Sequence, residues 1–147
     1  MEQQNLKASR EALTTIKGIV GDSLASPQCV RPTFPRTGRL TRTELAYGLK
    51  RLQHAELVHY LRFDASREVL LMIRESIEET MNLLDAGDEE VVDQLRVIEP
   101  YRHQLYARVV VIALLISERE AIQHEMKYWR QRNAMRIVQD HSEAVAL

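Results

Sequence analysis

The sequence predicts an all-α protein, an elongated bundle of four to five helices. Glycine is scarce, with five in 147 residues, aromatic residues make up only 5%, and long unbranched helix formers are abundant. Apolar residues recur three and four positions apart for most of the chain, which is the period of a helix with one buried face. An apolar content of 45% is ordinary for a chain that buries a core, and the length suits a single α-helical domain over 1–147.

The first helix is expected over roughly 3–25, where Leu6, Leu13, Ile16, Val20 and Leu24 share a face. Gly18 and Gly21 weaken its second half, each by up to about 1 kcal/mol relative to alanine. An arm follows at 26–40, in which Pro27, Pro32 and Pro35 forbid regular helix because each ring removes an amide donor and restricts the residue before it. Val30 and Phe34 can pin this arm to the bundle as a surface crossing.

A second helix is expected from Thr41. Thr41 and Glu44 have the spacing of a capping box, with Leu40 and Leu45 at the positions of a hydrophobic staple. Leu45, Leu49, Leu52 and Ala55 form its apolar stripe. Asp64 is the expected N-cap of a third helix, lined by Leu70, Ile73, Ile77, Met81 and Leu84 and stopped at Gly87. Asp88 caps the next, with Glu89 and Glu90 complementing the positive end of its dipole. The apolar seam from Val91 to Ile116 keeps one phase across Pro100, which predicts either a kinked continuous helix or a tight break with proline in the first turn. The last helix is expected over about 100–141. At 1.5 Å per residue it spans about 60 Å, against a diameter near 40 Å for a compact chain of this size, so it projects or bends.

One stretch carries a family resemblance. TRTELAYGLKRLQHAELVHYLRFDASREVLLMI, residues 41–73, resembles the recognition helix, strand entry and wing of winged-helix DNA-binding domains. The resemblance implies that Arg42, Thr43, Tyr47, Lys50 and Arg51 face DNA and that 58–73 is a hairpin. It covers under a quarter of the chain. Glu56 stands where such domains usually place the glycine that ends the helix, and the proline-rich arm stands where a preceding helix belongs.

Charge is sorted along the chain although the net value is −1: residues 1–63 carry +5, 64–99 carry −8 and 100–147 carry +2. Such sorting either serves a partner of opposite charge or balances within one bundle. The lone Cys29 and an N-terminus without an apolar signal core suit an intracellular protein, cytoplasmic or, in a eukaryote, nuclear. The longest apolar run, VVVIALLI at 109–116, is far below the roughly 17–25 residues of a membrane span.

Recognisable catalytic chemistry is sparse. Glu120 and His124 lie four apart, and His54 and His59 lie on nearby turns, yet no paired E-x-x-H set and no H-E-x-x-H occurs. Glu75, Glu78 and Glu79 read as the wet face of a helix, and no glycine-rich phosphate loop is present. A non-enzyme without metal or cofactor is expected.

Two features point instead to binding. Beyond Ser117 the apolar stripe thins to Ile122, Met126, Trp129 and Ile137, which suits a partner helix from a second copy or another protein, although the heptads are too irregular for a long coiled coil. Basic residues form two groups, Arg31, Arg36, Arg39, Arg42, Lys50 and Arg51 in and after the arm, and Lys127, Arg130, Arg132 and Arg136 around Tyr128 and Trp129. Cations interleaved with aromatics can neutralise phosphates and stack on bases. The expected function is therefore an interaction or scaffold protein that self-assembles or docks a partner helix, with nucleic-acid binding or packaging as the alternative.

Overall fold

The first helix forms where the stripe predicts it, and its three central apolar residues are wholly enclosed: Leu13, Ile16 and Val20 expose none of their surface. α1 spans Glu2–Ala25, followed by α2 (Arg42–Leu49), α3 (His54–His59) running into a π turn (Tyr60–Asp64), α4 (Arg67–Asp85), α5 (Glu89–Arg96) and α6 (Leu105–Ala146). The computed structural model describes residues 2–26, 40–99 and 103–146, with the side chains of 5–26, 40–99 and 103–134. Nearly all of the arm, including Cys29, Val30 and Phe34, lies outside the described residues. Among the described residues the chain is all-helical, with no strand.

Two compact units are distinguished, Met1–Ser117 and Glu118–Leu147. The core belongs to the first. In it α1 packs against α4, α5 and the π turn, and α4 packs against α5. The first turns of α6 add Leu105, Val109, Val110, Ala113, Leu114 and Ile116, all buried. One polar tie joins distant parts: the buried Ser9 hydroxyl donates at 3.1 Å to the Leu95 carbonyl at the C-terminal end of α5, which also accepts from the Val97 and Ile98 amides.

Local signals set most helix ends. Thr41 accepts from the Glu44 amide at 3.1 Å, the first half of the expected capping box. Gly87 adopts φ +76°, and the pair Gly87 N to Leu84 O and Asp88 N to Leu83 O is a Schellman motif that terminates α4. Asp88 then turns its side chain to the next helix, Oδ1 accepting from the Val91 amide at 3.1 Å.

Five expectations are corrected. The helix from Thr41 stops at Leu49, because Gln53 and Glu56 form a second capping box that starts α3 and the His54 amide donates to the His103 carbonyl at 2.8 Å. Ala55 is consequently exposed and not part of a stripe. With this extra break the described residues form six α-helices, close to the four to five expected. The cap of α4 is Ser66, accepting from Val69 N at 3.2 Å, and not Asp64, which ends the π turn. The π turn closes by Ala65 N to Tyr60 O at 2.7 Å. A turn closed over five residues keeps positions four apart nearly in line, so Leu57, Leu61 and Ala65 are all fully buried.

The fourth correction concerns 58–73, which is helical apart from Ala65 and Ser66, so the hairpin of a winged helix is not formed. The fifth concerns Pro100, itself outside the described residues. Residues 97–99 and 103–104 on either side are not helical, so of the two alternatives the break is realised and the kinked helix is not, but α6 begins at Leu105 and not at about 100, so Pro100 is not in its first turn. Proline bars the residue before it from the helical region, which favours this break.

Two stability predictions arise. Gly18 and Gly21 lie inside α1 with nothing within 4 Å of an added Cβ and without positive φ. Gly18→Ala and Gly21→Ala should each raise stability by about 0.5–1 kcal/mol, read from denaturant melts, since alanine lowers the entropy of the unfolded chain and fits unchanged.

His54 supplies the second. Its ring stacks on Tyr106, with centroids 4.1 Å apart, and its buried Nε2 has no hydrogen-bond partner among the described residues. Burial first, and the neighbouring His103 second, hold its pKa below the ordinary value. A base that holds its proton more weakly in the fold makes the unfolded chain the better proton acceptor, so this group contributes stability that is lost as pH falls through the ordinary histidine value of about 6.5. The thermal midpoint should therefore drop from about pH 7 to about pH 5, and His54→Phe, which keeps the stack, should flatten part of that slope.

Candidate functional site

In α6 the apolar run 105–116 is interrupted by one charge, Arg108, and ends at Ser117, after which the residue types change. Every residue from Ala121 to Ala134 is exposed. Ile122, Met126 and Trp129 expose 47%, 51% and 54% of their surface and, being four and three residues apart, share one helix face. Side chains of this size, exposed in a row on one helix face, form a candidate contact surface. Tyr128 lies edge-on to Trp129, with centroids 6.5 Å apart, and the Arg132 guanidinium sits 5.5 Å over the Trp129 ring. Ile137 and Arg136 lie outside the described side chains.

The cations group differently from the sequence expectation. Lys127, Arg130 and Arg132 are exposed around Tyr128 and Trp129, as the spacing predicts. Arg31, Arg36 and Arg39 lie outside the described residues. Arg42 is turned inward: its side chain is 18% exposed and reaches Glu75 at 3.4 Å. It is engaged in the fold and not presented outward. Lys50 lies over the Tyr47 ring at 4.7 Å, and Arg51 is exposed beside it.

Charge sorting finds a structural cause in the first unit. Arg10 pairs with Asp85 at 2.6 Å, Lys17 with Glu78 at 3.7 Å and Arg42 with Glu75 at 3.4 Å. Each pair joins a cation of the basic block to an acid of the acidic block. Glu79 accepts from the buried Ser117 hydroxyl. The acids Glu75, Glu78 and Glu79 thus have structural partners.

The histidine and acid pairs named from spacing have other neighbours in the fold. His54 is stacked on Tyr106, His59 faces Asp64 at 3.8 Å with its ring tilted 47° to that of Phe63, and Glu120 pairs with Arg119 at 3.3 Å. Among the described residues no group of three or more histidine, cysteine, aspartate or glutamate side chains is placed to hold a metal ion. No helix among them is long and apolar enough to cross a membrane.

A second feature is missed by reading the chain in order. Lys50 and Arg51, just after α2, share with Arg108 of α6 a cleft of about 530 Å³, walled on its third side by the end of α5. The one local signal for it is Arg108 itself, a cation inside an otherwise apolar run. Compared with known protein families, with curated proteins and with solved structures, the chain matches none.

Proposed function

We propose that this chain is a non-catalytic helical binding module that self-associates by pairing the exposed face of its C-terminal helix with the same face of a second copy. The observation that carries the reading is the row of Ile122, Met126 and Trp129, each about half exposed on a segment whose neighbours are all exposed. Large apolar side chains in a row lower the free energy of the chain when a second helix covers them.

Charge around the row favours a second copy over an arbitrary partner. In heptad terms Met126 and Asn133 fall at a, and Ile122 and Trp129 at d, a short seam of two heptads. Glu125 then falls at g and Arg130 at e. In a parallel, in-register pair Glu125 of each copy faces Arg130 of the other, and the two Asn133 amides meet at one a layer, a polar layer that favours register and a two-stranded state.

A second reading, nucleic-acid binding, is favoured by one observation: Lys127, Arg130 and Arg132 are exposed around exposed Tyr128 and Trp129. That combination suits phosphate neutralisation with base stacking.

Sedimentation equilibrium separates these. The intact chain should sediment as a dimer or larger, and Trp129→Ala or Met126→Asp should weaken association by about thirtyfold or more, as loss of an interface anchor does. Glu125→Arg should weaken it, and Glu125→Arg with Arg130→Glu should restore it. A monomer indifferent to all four changes removes the self-pairing reading. Under the second reading, purified protein carries an elevated 260/280 nm ratio and its affinity for oligonucleotides falls steeply with salt.

A further inference from the structure

We infer that the cleft between α2, α5 and α6 is a binding site for a small amphiphilic anion, a carboxylate or phosphate head on an aliphatic body. The lining of the cleft includes Lys50, Arg51 and Arg108 and no acidic residue. Among the described residues none of these three cations is in an ion pair, and Lys50 lies over the Tyr47 ring.

Helix electrostatics explain only part of this. Lys50 and Arg51 follow the C-terminal end of α2, where the dipole attracts cations without any ligand. Arg108 has the opposite setting. It lies in the first turn of α6, at the positive end of a helix, where a cation is disfavoured. Three positive side chains are therefore gathered with a helix N-terminal turn and no counter-charge from the described residues, a combination an anion would relieve. Two guanidinium groups suit the planar oxygens of a carboxylate or phosphate.

The rest of the lining sets what the anion is attached to. Val97, Ile98, Val111 and Ile112 supply an aliphatic wall, and Gln94 and Gln104 supply amide groups. Gln104 already donates to the Arg51 carbonyl at 3.4 Å, tying the α6 side of the cleft to the end of α2. A volume of about 530 Å³ lies within the roughly 300–1,000 Å³ of small-molecule sites, which are apolar with a few placed polar groups. All lining residues lie within the first unit, so the site is independent of the C-terminal pairing proposed above.

Calorimetric titration of the full chain tests the assignment with four probes of one tail: octanoate, octyl phosphate, octanol and octylammonium. At least one of the two anions should bind, and the better of the two identifies the head group; octanol and octylammonium should bind at least about tenfold more weakly, the loss expected for one charge-assisted hydrogen bond. Arg108→Gln and Lys50→Gln should each weaken the anion about tenfold, with the protein still folded and, for Arg108→Gln, a melting midpoint no lower than that of the parent. Val111→Ser should weaken the octyl anions while leaving any binding of inorganic phosphate unaffected. Equal binding of octanol and the anions, full affinity in the folded Arg108→Gln Lys50→Gln double variant, or no binding of either anion would each overturn the inference.

Discussion

The fold depends on the burial of one helix face. α2, α3 and α5 contain eight, six and eight residues, well short of the length at which a helix persists alone in water. They hold their conformation only as parts of a common core, and α1 is the element that packs on α4, α5 and the π turn together. The complete burial of Leu13, Ile16 and Val20 removes from water side chains worth about 1.5–3 kcal/mol each. Ser9 adds a directional constraint, because its buried hydroxyl reaches one carbonyl of α5 and so specifies how the two helices meet.

Given that core, the charge pattern follows a simple rule. Cations of the basic N-terminal block meet acids of α4 across the surface of the first unit. These pairs are largely solvent-exposed, so their individual contribution to stability is small. Several other cations are not used in these pairs. Lys50, Arg51 and Arg108 border the cleft, and Lys127, Arg130 and Arg132 surround the exposed aromatics.

The residues misassigned from sequence show where local reasoning stops. Asp64 and Ser66 are both good caps, and nothing nearby tells which is used. The choice is made by the π turn, which consumes Asp64 so that Leu57, Leu61 and Ala65 can all reach the core. The break after Leu49 has only Gly48, in the last turn of α2, as a local mark, and no glycine or proline follows it before α3. It depends on the Gln53 and Glu56 box and on a carbonyl from His103, far along the chain. The likeness of 41–73 to a recognition helix and wing failed for the same reason: a half-apolar segment reads as strand or helix until its neighbours decide, and here a helical core surrounds it.

By itself the sequence determined the helical class, the stripes of α1 and α4, the stops and caps at Thr41, Gly87 and Asp88, and the thin apolar row after Ser117. These rest on residues one turn apart, whose hydrogen bonds and spacing are properties of a single helix. Tertiary structure alone decided that Arg42 serves Glu75, that Arg10 serves Asp85, and that Arg108 joins Lys50 and Arg51 around one cleft. Those relations join residues 33 and 75 positions apart in the two ion pairs. Separations of that size are closed only when the buried face of α1 brings the helices together, and no local pattern encodes the result.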